Sequence, residues 1–379
     1  MSDVIPFQIK ISQDALDDLK NRLANTRWAD AETVDDWSQG TPQAYLKEVC
    51  DYWENQYDWR AREERLNRFA QFKTNLNGID IHFIHVKSPE STATPLIMTH
   101  GWPGSIVEFQ KVIGPLSDPV SHGGQAEDAF DIVCPSLPGY GFSDKPTETG
   151  WGIEKIADTW AALMARLGYD RYVAQGGDWG SIITSCLAAQ DPTHCLGIHL
   201  NMAIAPPTPE SMSDLSELEK SALAGMEHYT NLDSGYSKQQ STRPQSLAYG
   251  LVDSPAGQAA WILEKFWSWT DCSGHPENAL TRDEMLDNIM LYWLPANGGS
   301  SARLYWESFN SPPMMEIKIP VGVSIFPHEI FKASKRWCEA RYDKLVYHNV
   351  LEKGGHFAAF EQPEVFVEEV RSAMRKVIA

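Results

Sequence analysis

A carboxylate at position 178 stands where a chain of this pattern places a nucleophile. Asp178 follows a short apolar stretch at 172–175, has Gly177 and Gly180 close to it, and precedes a helical stretch at 181–189. Such a strand-to-helix turn is strained and crowded, so neighbours without a Cβ are needed. A carboxylate there attacks carbon directly and leaves an alkyl ester on the enzyme. We therefore expect substrates with a strained or displaceable group on saturated carbon, not peptides or ordinary esters.

A nucleophile of this kind needs a base, and the base needs an acid that orients it. The expected order along the chain is nucleophile, acid, histidine. His356 follows the last predicted strand and two glycines, which allow the backbone to turn sharply. Glu329 follows the strand predicted at 321–326, whereas Asp343 precedes the last strand and Asp131 opens an earlier one. We predict His356 as the base and Glu329 as the acid.

Two backbone amides are candidates for an oxyanion hole. The sequence His-Gly-Trp-Pro at 100–103 ends a short buried strand predicted at 95–98. In an architecture with this turn, one donor N–H comes from that loop and the other from the residue after the nucleophile. The predicted donors are therefore the backbone amides of Trp102 and Trp179.

The elements that must position these residues form an alternating pattern of strands and helices. This order predicts an α/β fold with a mainly parallel sheet and helices on both faces. Asn77-Gly78 marks a hairpin between the first two predicted strands. The predicted strands are 72–76, 79–86, 95–98, 130–135, 172–175, 196–201, 321–326 and 344–350, and helices are predicted at 153–167 and 365–377.

Four segments are predicted along the chain. Residues 1–68 form an N-terminal helical extension, 69–206 the first part of the core, 207–312 a helical lid and 313–379 the second part of the core. The lid interrupts the strand pattern, and such an insertion normally covers the sheet edge where ligands bind. Its predicted helices are 215–230, 246–250, 257–267, 282–294 and 302–309.

Composition excludes several classes of function. The formal net charge is −19 and no basic run occurs, so we expect no nucleic-acid partner. The six cysteines are scattered without metal-type spacing, which predicts reduced thiols, no metal site and a cytoplasmic location. No apolar run approaches the roughly 20 residues that span a bilayer, so we expect a soluble protein without a membrane anchor.

Together these motifs resemble the microsomal-type epoxide hydrolases, which are α/β-hydrolases with a characteristic N-terminal region. The resemblance covers nearly the whole chain and is carried by residues 6–10, 16–23, 100–105, 176–180 and 354–361. It implies an α/β-hydrolase fold and the conversion of an epoxide and water to a vicinal diol, through an ester on the aspartate, with no metal or organic cofactor. It also supports the assignment of the acid, since members of the family use Asp or Glu there.

The resemblance adds two residues that spacing alone does not indicate. The family uses two lid tyrosines as acids, and Tyr236 and Tyr305 match them. Without the family, any of the 13 tyrosines would first be interpreted as a core or surface aromatic. The fallback candidates are Tyr229, Tyr249 and Tyr292.

The expected partner is a small-molecule epoxide. Four lid tryptophans suggest an apolar or aryl-substituted one: Trp261, Trp267, Trp269 and Trp306. Many animal members carry a membrane anchor ahead of the first helix, whereas this chain starts almost at that helix and so resembles the soluble bacterial and fungal members. Dimerisation is common among relatives, so a homodimer is the assembly to consider.

Two alternatives remain open from the sequence. A haloalkane dehalogenase also has an Asp nucleophile followed by Trp, and it would bind halide through the indole N–H of Trp102 or Trp179. The lid tyrosines and the N-terminal extension argue against it. The second alternative is a catalytically inactive binding protein on the same scaffold, although a nucleophile, a base and an acid all have candidates.

Overall fold

The computed structural model describes residues 3–309 and 315–379. Within them, one sheet contains nine strands in the order β1-β2-β3-β5-β4-β6-β7-β8-β9. The strands are β1 (Ile5–Phe7), β2 (Gln71–Leu76), β3 (Ile79–Val86), β4 (Thr94–Thr99), β5 (Phe130–Pro135), β6 (Tyr172–Gly176), β7 (Cys195–Leu200), β8 (Val321–Ile325) and β9 (Leu345–Val350).

The helices of the same part of the chain are as follows: α1 (Gln13–Ala24), α2 (Gln43–Asn55), α3 (Trp59–Leu66), α4 (Ile113–Ser117), α5 (Ile153–Arg166), α6 (Trp179–Gln190), α7 (Glu217–His228), α8 (Gly235–Thr242), α9 (Pro244–Asp253), α10 (Pro255–Trp269), α11 (Arg282–Trp293), α12 (Gly298–Ser308), α13 (Lys335–Arg341), α14 (Ala358–Glu361) and α15 (Pro363–Val377).

The central part of the sheet is parallel. Strands β5, β4, β6, β7, β8 and β9 pair in parallel, while β1, β2 and β3 pair antiparallel at one side. Every residue of β6 and β8 is buried, as expected for strands covered on both faces. The α/β-hydrolase architecture predicted from the sequence is confirmed.

The strand order reverses between β4 and β6. The chain passes from β4 to β5 on one side and then returns to β6 on the other side of β4. In open sheets of this type, ligands bind outside the carboxyl ends of the strands where the order reverses. The loops after β4 and β6 therefore meet at the expected place for an active site, and they carry Trp102 and Asp178.

The N-terminal region is helical, with one exception that the sequence did not indicate. Helices α1, α2 and α3 occur, but residues 25–42 contain no helix, and Ile5–Phe7 form an edge strand paired with β2. A strand of three residues is too short to show an alternating pattern, so its pairing is visible only in three dimensions. The predicted hairpin is present, and Asn77 and Gly78 have φ angles of 52° and 92°, as a tight turn requires.

The segment between β7 and β8 consists of helices α7 to α12. Helix α8 was not predicted, because its sequence is largely polar and lacks an apolar stripe. Capping boxes begin α7, at Ser216 with Glu219, and α11, at Thr281 with Glu284. The predicted boundary at 312/313 lies outside the described residues, and the division into four segments stays a prediction.

None of the helices in the two described ranges combines the length and the apolar character needed to cross a membrane.

Candidate active site

Asp178 lies in a strained turn between β6 and α6. Its φ and ψ are 51° and −132°, a conformation that residues with a Cβ rarely adopt. The surroundings are crowded: a Cβ on Gly180 would lie 1.9 Å from the carbonyl oxygen of Thr99, and one on Gly101 would lie 2.0 Å from Asp178 Oδ1. The glycines thus allow the backbone to pack closely while the carboxylate is held above the sheet edge.

The two carboxylate oxygens of Asp178 have different neighbours. The backbone N–H of Trp102 donates a hydrogen bond of 2.7 Å to Oδ1. Oδ2 lies 3.3 Å from Nε2 of His356. Trp179 begins helix α6 directly after the nucleophile candidate, and its amide stays a predicted second donor.

His356 lies between two carboxylates. Its Nδ1 is 2.7 Å from Glu329 Oε1, and both side chains are almost fully buried. A parallel bridge between His328 and Gly355 joins the two loops that carry them, and the His356 amide donates to the Trp269 carbonyl. The other candidate acids lie elsewhere: Asp131 bonds to Ser88 and Tyr169, and Asp343 is exposed.

The charges around the imidazole outweigh the cost of burying it. Burial lowers the pKa of His356, but Glu329 and Asp178 raise it, and the net direction is well above the ordinary histidine value. The surroundings of His356 therefore favour the protonated imidazole in the resting site.

Tyr236 and Tyr305 lie over the same carboxylate. The ring of Tyr236 stacks on that of Trp102 at 4.6 Å, and the ring of Tyr305 meets that of Trp179 edge-on at 4.8 Å. Burial, together with the charge of Asp178, raises the pKa of each phenol well above its ordinary range. Both phenols therefore keep their protons at neutral pH.

The two hydroxyls differ in their partners. The Tyr236 hydroxyl is 3.0 Å from that of Tyr229, whereas the buried Tyr305 hydroxyl makes no hydrogen bond among the described residues. Of the other fallback candidates, Tyr249 is 68% exposed and Tyr292 donates to the Gly104 carbonyl. Tyr229 thus reaches the site through its contact with Tyr236, whereas Tyr249 and Tyr292 do not.

Sequence reasoning missed two features beside this cluster. Lys265 is buried under the ring of Tyr236, where it pairs with Asp233 at 2.6 Å. Glu108 lies near Asp178 and His356, and burial raises its pKa to about 8. Lys265 reaches the site only by tertiary packing. Glu108 follows Ser105 at the spacing of a capping box, which indicates a helix start and no role in the site.

The fold and the geometry together define an α/β-hydrolase-fold enzyme with a carboxylate in the nucleophile position. Comparisons with known proteins agree. Residues 4–109 match the family model "Epoxide hydrolase N terminus", and residues 94–246 match "alpha/beta hydrolase fold".

Full-length relatives define the class more narrowly. A protein of Stigmatella aurantiaca (strain DW4/3-1), provisionally named an epoxide hydrolase, is 53% identical over 99% of this chain and 86% of its own. Epoxide hydrolase 1 of Sus scrofa is 37% identical over 97% of this chain and 88% of its own. The structure of Aspergillus niger epoxide hydrolase superposes with a TM-score of 0.90 at 32% identity, covering 99% of this chain and 97% of that one.

The chain belongs to the epoxide hydrolase family, and it is a hydrolase that acts on epoxides. The resemblance inferred from the motifs is confirmed over the whole chain. The haloalkane dehalogenase and the inactive scaffold considered from the sequence have no support among these relatives.

Proposed function

We propose that this epoxide hydrolase works in two steps, through an ester between Asp178 and the substrate. The observation that carries the proposal is the split environment of the carboxylate, with Oδ1 bonded to the Trp102 amide and Oδ2 facing His356. An oxygen fixed by an amide is suited to become the carbonyl oxygen of an ester. The other oxygen is then the one that attacks.

In the first step, Oδ2 of Asp178 bonds to a ring carbon and the ring C–O bond breaks. An alkoxide is a poor leaving group, so a proton donor at the ring oxygen is required. Tyr236 and Tyr305 supply that donor, because burial keeps both phenols protonated. Tyr305, whose hydroxyl makes no hydrogen bond among the described residues, is free to bond the ring oxygen.

In the second step, His356 takes a proton from water and the resulting hydroxide attacks the ester carbonyl of Asp178. Glu329 holds the imidazole orientation through the bond to Nδ1. The amides of Trp102 and Trp179 bind the oxyanion, and losing one such donor typically costs about 3 kcal/mol of transition-state stabilisation. The diol then leaves with the proton returned by His356, and the second proton of the water, left on the Asp178 carboxyl group, passes back to the imidazole.

The substrate class we propose is an apolar or aryl-substituted epoxide. The side chains around the phenols are aromatic, including Trp102, Trp179 and Trp269. The other lid tryptophans support it less: Trp267 stacks on Trp37 of the N-terminal region, and Trp261 bonds to Gln240. Trp306, the fourth, is 39% exposed.

We propose a cytoplasmic location, because all six cysteines are free thiols buried in the protein. The homodimer considered from the sequence stays a prediction.

Replacing the base should separate the two steps. With styrene oxide, His356→Ala should still form the ester on Asp178 and then stall, since no group remains to activate water. Intact-mass and peptide mass spectrometry should show the adduct. His328→Ala is a matched control, because that imidazole is exposed and pairs with Asp271.

The control should turn over normally without a persistent adduct. A folded His356→Ala protein that binds styrene oxide yet never acquires the adduct would contradict the two-step scheme.

A further inference from the structure

A small cavity lies beside Asp178 and His356. Its volume is about 20 Å³. A single water molecule needs a cavity of roughly 10–15 Å³, so this cavity has room for one water. A substituted epoxide is far too large for it. The residues Thr99, Gln175 and Glu108 also line it.

Two of these wall residues carry buried polar atoms without a protein partner. Thr99 Oγ1 and Gln175 Oε1 make no hydrogen bond, and both residues are only 1% exposed. A buried polar atom left without a partner is costly, and such atoms in native proteins are usually bonded to ordered water. Two lining residues thus have a buried polar atom that an ordered water in this cavity could satisfy.

Glu108 reaches the cavity from the 3-10 helix Ile106–Phe109. Its carboxylate lies against the backbone of Gly104, where a Cβ would come within 1.5 Å of Oε1. A side chain at position 104 would therefore displace the Glu108 carboxyl group. Although Glu108 as a whole is partly exposed, burial raises the pKa of its carboxyl group, as expected for a group largely shielded from bulk solvent. The two-step mechanism of Asp178 and His356 assigns no role to this carboxyl group.

We propose that this cavity holds the water that hydrolyses the ester, and that the Glu108 carboxyl group accepts one hydrogen of that water while His356 takes the other. The proposal rests on the two-step function. The water oxygen bonds to Cγ of the Asp178 ester, its proton passes to Nε2 of His356, and the ester C–O bond then breaks. The diol oxygen receives the proton from the imidazolium.

Glu108 fills this role whether or not it is ionised. A carboxylate and the carbonyl oxygen of a neutral carboxyl group both accept a hydrogen bond. When His356 and Glu108 bind both of its hydrogens, the water directs a lone pair at the ester carbon, which is the orientation that hydrolysis requires. Glutamine keeps an acceptor oxygen at the same distance along the side chain, whereas leucine has none.

Single-turnover kinetics with styrene oxide test the proposal, because they measure ester formation and ester hydrolysis separately. Glu108→Leu should lower the hydrolysis rate constant by about 100-fold, as expected when a reacting water loses its orientation, and leave ester formation within about threefold. The Asp178 adduct should accumulate in the mass spectrum. Glu108→Gln should lose only about tenfold or less in hydrolysis, because it retains the acceptor.

Glu369→Leu is the matched control. Glu369 is another buried carboxylate, bonded to Ser324 of β8 and to Tyr347 and Asn349 of β9, and it does not line the cavity. Its replacement should lower stability and leave the ratio of the two rate constants unchanged. An unchanged hydrolysis rate in Glu108→Leu would overturn the proposal, as would an equal loss in both steps or a glutamine variant as slow as the leucine one. If wild-type enzyme itself forms no ester, the two-step function fails instead.

Discussion

In the proposed mechanism, the charges of Glu329 and Asp178 determine when His356 can act as a base. In the resting site, Glu329 and Asp178 together hold the pKa of His356 above its ordinary value despite burial. Once Asp178 is esterified, one of these two negative charges is gone. The pKa of His356 must then fall, because burial continues to act and only Glu329 remains to oppose it. In the proposed mechanism, the imidazolium then gives its proton to the phenolate that ring opening leaves on Tyr236 or Tyr305, and the neutral imidazole can accept a proton from water.

The change Asp178→Asn mimics the uncharged ester and should lower the pKa of His356 relative to the wild type. The sign follows from removing an anion that favours the imidazolium. Histidine NMR titrations of the two proteins would measure the shift, with intact mass confirming that the asparagine persists. His85, which bonds to Tyr169 and has a pKa lowered to about 4, should titrate alike in both. An equal or higher pKa of His356 in the variant would contradict this account.

The residues of the candidate site differ in how clearly the sequence indicates them. Asp178 and His356 are flanked by glycines whose spacing follows from backbone crowding, so their candidacy is visible in the sequence. Tyr236 and Tyr305 needed the family resemblance, because a tyrosine in a helix has no local mark of acidity. Glu108 was missed altogether, since its relation to the site depends on a close approach to a glycine backbone that only the folded chain shows.

At the scale of elements, helix α11 links the N-terminal region to the active-site loop. On one side, Asp287 accepts hydrogen bonds from Arg62 of α3 and from the Tyr57 hydroxyl. On the other side, Asn288 donates to the Pro103 carbonyl, next to the residue whose amide bonds Asp178. The N-terminal helices therefore support the loop that carries Trp102, which gives this extension a structural purpose in the enzyme.

Arg62→Met should destabilise the protein by about 3 kcal/mol, because it leaves a buried carboxylate without its cation. Burial already raises the pKa of Asp287 even with Arg62 beside it. In the variant this carboxyl group takes up a proton, so the loss should be smaller near about pH 5 than near about pH 8. Urea denaturation of both proteins at the two pH values measures the difference in their free energies of unfolding.

The exposed Arg27 offers the matched control, and Arg27→Met should change the free energy of unfolding little at either pH. If Arg62→Met loses no more free energy of unfolding than the control, or loses more at acid pH, the ion pair does not hold α3 to α11.

Elements with a strong pattern were predictable. The buried strands β6 and β8 and the amphipathic helices α5 and α15 have apolar spacing that tertiary context reinforces. Strand β1 and helix α8 were not predictable, because the first is too short to have a period and the second is stabilised by packing rather than by an apolar stripe. The links from α11 to its neighbours join residues far apart in sequence, and no local signal marks them.

For the whole molecule, the sheet order and the helical segment over it produce one reaction chamber. The carboxyl ends of β4, β6, β8 and β9 supply the loops with Trp102, Asp178, Glu329 and His356, and the helices above supply the phenols. In the proposed mechanism, the proton donors therefore come from the helical segment, and the nucleophile and the base come from the loops of the sheet. The proposed two-step reaction depends on a covalent bond between the Asp178 carboxylate and the substrate during part of each turnover.

One measurement tests that claim most directly. Excess enzyme is allowed a single turnover of styrene oxide in heavy-oxygen water, and the peptide containing Asp178 and the released diol are analysed by mass spectrometry. We predict that the heavy oxygen enters the Asp178 carboxyl group and that the first diol carries none. Heavy oxygen in the diol of that first turnover, with an unlabelled Asp178, would contradict the account, because water would then have attacked the epoxide itself.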